Sequence, residues 1–157
     1  MNFQSHVAEL TLNATETFLR YAKALPKDQV AWKPSPESRS ALSMLQEVAQ
    51  DPEDLAKLFR GETILDAGTE TYFERLKQEK REWTTLEECE RILEFNLNQL
   101  LEAIRDFPAE RLSEPVVEPW GNHTTYRELA IYQYWNTVWH TGQVAYIQTL
   151  LGDSQSY

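Results

Sequence analysis

Residues 125–151 read TYRELAIYQYWNTVWHTGQVAYIQTLL and carry a clear helical pattern. The stretch opens on a capping box, in which the Thr125 hydroxyl and the Glu128 carboxylate each accept a hydrogen bond from the other residue's backbone amide. Alternating steps of four and three residues then trace one face of the helix. That face consists of Leu129, Gln133, Asn136, His140, Gln143, Ile147 and Leu150. The pattern is typical of a helix packed into a bundle, and Gly152 provides its C-terminal stop.

Three further segments upstream have the same helical period. One spans about Phe3–Ala24, and another opens on a second capping box at Thr85. Between them a segment begins near Ser38 or Ser40, either of which can act as its N-cap. The chain has only 5 Gly and 7 Pro, clustered between the helical segments, as is usual in a bundle. We therefore predict an all-α fold, a single four-helix-bundle domain over residues 1–157.

Three local features are expected within and between these helices. Pro52 lies inside the second helix, where proline removes an amide donor, so the sequence predicts a kink there or a restart with Asp51 as N-cap. Residues 69–83 are highly charged and predict a short helix on the surface. Residues 113–122 contain two prolines and a glycine and are compatible with a short β-hairpin before the last helix.

The composition describes an acidic globular chain. It has 157 residues, 25 acidic side chains against 15 Lys and Arg, a net charge of -10 and 41% hydrophobic residues, which is too apolar for a disordered chain. The acidity argues against nucleic acid and anionic membranes as partners, because both are bound through Lys and Arg. The single Cys89 excludes an internal disulfide and a cysteine zinc cluster. With no signal or membrane-spanning segment in the sequence, we expect a cytoplasmic protein.

The middle of the last helix is polar, although its position in the seam predicts burial. Buried polar groups need partners, so the facing helices must offer polar groups, water or an ion at this level. Aromatic side chains flank the polar positions and are expected to wall them in: Tyr132, Trp135, Trp139 and Tyr146. Converging polar groups in an apolar wall indicate a small-molecule site. The predicted ligand pocket consists of Gln133, Asn136, Trp139, His140 and Gln143.

Two other features of this helix bear on function. Asn136 and His140 are four residues apart and share a face, the spacing by which two histidines of one helix can bind a metal, although Asn is a poorer ligand than His. Gly142 costs about 1 kcal/mol relative to Ala in mid-helix. That cost predicts a close approach by a neighbouring helix or by another chain.

The chain resembles the DinB-like proteins, which are four-helix bundles with a long crossover connection. The resemblance covers nearly the whole chain in the order and spacing of its elements, and the last helix is its most specific part. It is carried by Trp32-Lys33-Pro34-Ser35, Ser40-Ala41-Leu42, Pro119-Trp120-Gly121, residues 134–143 (YWNTVWHTGQ) and Tyr146-Ile147-Gln148.

The resemblance implies a position for a metal site. Metal-binding members of that family hold zinc or nickel with three histidines, one from helix two and two from the last helix. Alignment on Ser40-Ala41-Leu42 places Glu47 at the first position, and Asn136 and His140 occupy the other two. One hypothesis is a weakened site for zinc, nickel or manganese made by Glu47, Asn136 and His140. The other, which we favour, is a core histidine bonded to Glu47 or Asn136 that fixes the helix register.

Two functions follow from these observations and the resemblance. The first, which we favour, is a non-catalytic small-molecule-binding or stress-associated protein with a degenerate metal site, working as a homodimer through exposed aromatic helix faces. The second is a metal-dependent thiol transferase, because some members of the family resembled here use a metal to activate a low-molecular-weight thiol. The sequence does not identify a catalytic residue for either one.

Overall fold

The computed structural model describes residues 2–157, which form five α-helices, one 3₁₀ turn and a two-stranded hairpin. The helices are α1 (Phe3–Ala24), α2 (Ala41–Phe59), α3 (Glu70–Glu82), α4 (Leu86–Asp106) and α5 (Tyr126–Leu150). The strands are β1 (Pro115–Val117) and β2 (His123–Thr125). This architecture confirms the all-α prediction with a hairpin before the last helix. No helix in residues 2–157 has the length and apolar character that crossing a bilayer requires.

Local capping interactions set where the helices begin. The predicted capping boxes at Thr85 and Thr125 are both present. Of the two candidate caps for α2, Ser40 is the one used, and its partner in the box is Ser43. These caps satisfy amides that have no acceptor within the first turn of a helix. The chain therefore enters α2, α4 and α5 at positions fixed by short-range sequence.

Helices α1, α2, α4 and α5 form the bundle. Helix α1 packs against α4 and α5, and α2 packs against the same two, so α1 and α2 lie diagonally opposite. The core is apolar at both ends, with Phe18, Leu45 and Leu93 in one cluster and Leu55 and Leu100 in the other. These clusters show that α2 and α4 run parallel, so the connection between them, which contains α3, is the long crossover.

Helix α3 lies against α2 and is anchored more firmly than its charged sequence suggests. Tyr72 is almost fully buried, and its hydroxyl donates to Oδ2 of Asp54 at 3.0 Å. The Gln46 side chain of α2 donates to the carbonyls of Lys80 and Trp83 at the end of α3. The predicted surface helix is present, and one buried aromatic together with polar contacts holds it to α2.

Helix α2 runs without a break through Pro52, so the restart considered at Asp51 does not occur. Proline has no amide to donate to the residue four positions before it, which leaves the carbonyl of Val48 without its helical partner. The side-chain amide of Gln133 in α5 donates to that carbonyl at 3.0 Å. A side chain of the facing helix thus replaces the missing backbone donor.

Replacing Gln133 with Leu is expected to leave the Val48 carbonyl buried without a donor, at a cost of about 1–3 kcal/mol in the free energy of unfolding. In a Pro52→Ala background the restored amide of residue 52 can donate instead. The same Gln133→Leu change is then expected to cost about 1 kcal/mol less. Chemical denaturation of the wild type, both single variants and the double variant measures this coupling.

Asn96 provides a matched control for that cycle. Its side-chain amide donates to the carbonyl of Ala49 at 2.9 Å, a carbonyl whose own helical donor, the amide of Glu53, is not removed by the proline. Asn96→Leu should therefore cost the same with and without Pro52→Ala. Equal costs of Gln133→Leu in the two backgrounds would contradict the role assigned to Gln133.

Candidate functional site

Polar side chains of α2 and α5 meet in the middle of the bundle. Glu47 and Asp51 lie one turn apart on α2, and Asn136 and His140 lie one turn apart on α5. The helices are antiparallel, so Glu47 contacts His140 and Asp51 contacts Asn136. These four residues and Gln133 are called the polar layer below.

Glu47 has two charged or chargeable partners. Its Oε1 lies 3.0 Å from Nε2 of His140, and its Oε2 lies 2.7 Å from Nη2 of Arg39. Burial by itself would raise the pKa of Glu47, but the hydrogen bond with His140 and the charge of Arg39 outweigh it and lower the pKa to about 2. Glu47 is therefore ionised at neutral pH.

His140 is 3% exposed and is held through both ring nitrogens. Nε2 faces Glu47, and Nδ1 lies 2.6 Å from Oε1 of Gln143, one turn further along α5. This is the contact with Glu47 that the core-histidine interpretation requires. The two partners fix the orientation of the imidazole ring.

Asp51 was missed as a site residue by the sequence analysis, which considered it only as a helix cap. Its Oδ2 accepts a hydrogen bond from Nδ2 of Asn136 at 3.1 Å. Desolvation and the nearby charge of Glu47 raise the pKa of Asp51 to about 8, although its residue surface is only half-buried. Its position four residues after Glu47, on the same helix face, is the signal that could have identified it.

The structure separates the five predicted pocket residues into two groups. Gln133, Asn136 and His140 are buried in the polar layer, whereas Gln143 is half-buried and Trp139 is 57% exposed. The expected aromatic wall does not close over the polar layer: Tyr132 is half-buried, but Trp135 and Tyr146 also face outward. Helix α5 is apolar on two opposite faces, so its sequence pattern alone could not show which aromatic side chains lie inside.

An open groove of about 520 Å³ lies between α5, the start of α2 and the connection from α1. This α2–α5 groove is lined by Pro34, Ser38, Arg39, Met44, Trp139, Gly142, Gln143, Tyr146 and Ile147. Arg39 and Gln143 are the lining residues that bond to Glu47 and His140 beneath. The volume is in the usual range for small-molecule sites. The groove therefore has an apolar wall and two polar side chains, Arg39 and Gln143, that bond to the polar layer.

The predicted metal site, made by Glu47, Asn136 and His140, offers a divalent ion one carboxylate, one amide and one imidazole. Glu47 contacts His140, whereas Asn136 bonds to Asp51 one turn away. Within the described chain no three His, Cys, Asp or Glu side chains form a metal-binding group. His140 and Arg39 already occupy the two carboxylate oxygens of Glu47. With one imidazole and no thiolate the set is poor for zinc or nickel. As arranged, these side chains bind one another, and a metal bound here would have to replace the contacts of Glu47 with His140 and Arg39.

Comparison with known proteins supports the fold. No family model and no curated protein matches the sequence. A conserved protein from Enterococcus faecalis is similar in structure with a TM-score of 0.74 and 14% identity, over 98% of this chain and 99% of that one. A DinB-like protein from Bacillus subtilis is similar with a TM-score of 0.67 and 14% identity, over 97% and 95% of the two chains.

A mycothiol-dependent maleylpyruvate isomerase is also similar, with a TM-score of 0.71 and 12% identity. The match covers 92% of this chain but 63% of the isomerase, so this chain corresponds to under two thirds of that protein. At such identities the likeness establishes the fold and leaves the activity open. The chain therefore has the fold of the DinB-like proteins.

Proposed function

We propose that this protein binds a small organic molecule in the α2–α5 groove and works as a homodimer without catalysing a reaction. The observation that carries the proposal is the lining of the groove. Trp139 and Tyr146 expose 57% and 64% of their surface there, beside apolar Met44 and Ile147. Exposed aromatic surface next to an apolar depression favours a ligand that covers it.

The polar layer gives the groove a rigid floor. Arg39 is held by Glu47, and Gln143 is held by His140, so both groove residues are oriented by members of the polar layer. Side chains that are ordered before binding lose less conformational entropy when a ligand arrives. The Glu47, Asn136 and His140 set would then serve the groove as a support in place of a metal site.

The neutral dye N-phenyl-1-naphthylamine is expected to bind in the groove with an increase in its fluorescence. Trp139→Ala should weaken binding about tenfold, because the lost aromatic contact is worth about 1–2 kcal/mol. Phe95 is a matched control, since it is 67% exposed on α4 and does not line the groove. Equal effects of Trp139→Ala and Phe95→Ala in a fluorescence titration would contradict binding at this site.

The outer face of α5 supports the homodimer. Beside the groove it exposes four large apolar side chains that do not line it: Ile131, Trp135, Val138 and Leu150. Residues 129–150 contain no Asp, Glu, Lys or Arg, in a chain whose net charge is -10. Two copies can therefore meet on this face without bringing like charges together, and burying it removes apolar surface from water.

Gly142 lies on the outer side of α5, one turn after Val138 and at the edge of the groove. It is exposed, and a Cβ built on it meets no atom within 4 Å, so the packing of helices within the protomer does not require a glycine there. The close approach predicted from its helical cost is thus not supplied by a neighbouring helix. A second chain is the remaining alternative of the two, and it supports dimerisation through α5.

Trp135→Asp is expected to convert the protein to a monomer, because it places a charge on the apolar face of both copies. Phe95→Asp introduces the same charge at an exposed aromatic position on α4 and should leave the dimer intact. Sedimentation velocity at several concentrations measures the assembly state. A wild-type protein that stays monomeric at high concentration would rule the dimer out.

A metal-dependent thiol transferase is the second candidate. It is favoured by the convergence of Glu47 and His140 with Asn136 nearby, and by the structural likeness to a mycothiol-dependent maleylpyruvate isomerase. A bound divalent metal would supply activation of a thiol by lowering its pKa. Against this candidate, the carboxylate of Glu47 is already paired with Arg39.

Elemental analysis of protein purified without an affinity tag separates the two candidates. If the binding function is correct, we expect no stoichiometric metal and no rise in melting temperature on adding zinc, nickel or manganese. The transferase candidate instead requires bound metal that is lost in His140→Ala. It also requires metal-dependent conjugation of bacillithiol, mycothiol or glutathione to an electrophile.

A further inference from the structure

Arg39 is the one charged residue among those lining the α2–α5 groove. We propose that the groove selects an amphipathic anion, with an apolar body against Trp139 and Tyr146 and a carboxylate or sulfonate head bound by Arg39. This inference rests on the proposed binding function and names the chemical class of the ligand. The inference concerns the guanidinium donors of Arg39 that Glu47 and Ser43 do not engage.

Several N–H groups of the Arg39 guanidinium make no hydrogen bond within the protein. Nη2 is engaged twice, with Oε2 of Glu47 at 2.7 Å and with the backbone carbonyl of Ser43 at 2.9 Å. Arginine carries five N–H donors, and those on Nε and Nη1 have no hydrogen-bond partner within residues 2–157. Three donors therefore remain for a ligand. Nε–H and Nη1–H point to different edges of the guanidinium plane, and each can donate a charge-assisted hydrogen bond to an oxygen of an anionic head group.

The contacts with Glu47 and Ser43 hold the arginine where a ligand can reach it. The side chain keeps 39% of its surface exposed while its Nη2 is bound to the protein. Binding an anion at Nε or Nη1 leaves the Glu47 contact in place. The ion pair with Glu47 would thus position Arg39 for the ligand.

The negative net charge of the chain opposes the binding of an anionic ligand. At -10 the protein as a whole repels anions, so a preference for an anionic ligand has to come from a local cation. A non-specific apolar surface on this protein would favour the neutral member of a matched ligand pair. The sign of the preference therefore distinguishes the Arg39 anchor from general hydrophobic binding.

Two dyes with the same apolar body provide the test. 8-Anilinonaphthalene-1-sulfonate differs from N-phenyl-1-naphthylamine by its sulfonate group. We expect the sulfonate dye to bind at least about tenfold more tightly, as a charge-assisted hydrogen bond to a fixed donor provides. Arg39→Gln should weaken the sulfonate dye by about the same factor and leave the neutral dye unchanged. Arg105→Gln, which removes an exposed arginine of α4 outside the groove, is the charge-matched control.

The outcomes separate this inference from the function on which it rests. Equal affinities of the two dyes in the wild type, with both weakened by Trp139→Ala, would overturn anion selection and leave the groove as a binding site. Binding that Trp139→Ala does not affect would overturn the groove itself. An equal loss of both dyes in Arg39→Gln would also overturn the anchor.

If Arg39→Gln does not fold, as judged by circular dichroism, Arg39→Lys replaces it, because the ammonium keeps a positive charge beside Glu47. The loss of the fixed guanidinium donors should then reduce the preference for the sulfonate dye without reversing it. An unchanged preference in Arg39→Lys would overturn the role assigned to the free guanidinium donors.

Discussion

Pro52 leaves the carbonyl of Val48 without a donor in its own helix, and the amide of Gln133 supplies one from α5. Because a buried carbonyl without a partner is costly, this contact favours one axial register between the two helices. The same register brings Glu47 to His140 and Asp51 to Asn136. Sliding α5 by one turn would break all three contacts at once, so the polar layer acts as a single unit.

The members of the polar layer are held together by contacts with one another. In a metal centre, side chains that would otherwise repel one another or make no contact are held together by the cation. Here the carboxylate of Glu47 is balanced by Arg39 and bonded to His140, so the electrostatic demand is met by the protein itself. At the surface, two polar residues of the groove lining, Arg39 and Gln143, are bonded to members of the polar layer.

Local sequence signals predicted the helices well, because caps and helical periodicity are short-range properties. The capping boxes at Thr85 and Thr125 and the first helix lie where the sequence places them. The hairpin begins in the predicted segment 113–122, but its second strand, His123–Thr125, lies beyond it. The site was harder to predict. Arg39 precedes a helix and belongs to no periodic pattern. Trp139 lies on a helix that is apolar on both faces, where periodicity does not distinguish core from surface.

Because α5 follows the other bundle helices in the chain, it is synthesised after them, and this affects the nascent protein. The ribosome produces α1, α2 and α4 first, and until α5 follows, Glu47, Asp51 and the Val48 carbonyl lack the partners that α5 provides. The apolar sides of α1 and α2 that face α5 in the native bundle also stay open during that interval. Nascent chains with such surfaces are prone to associate. Co-translational protection by a chaperone would matter most just before the last helix emerges.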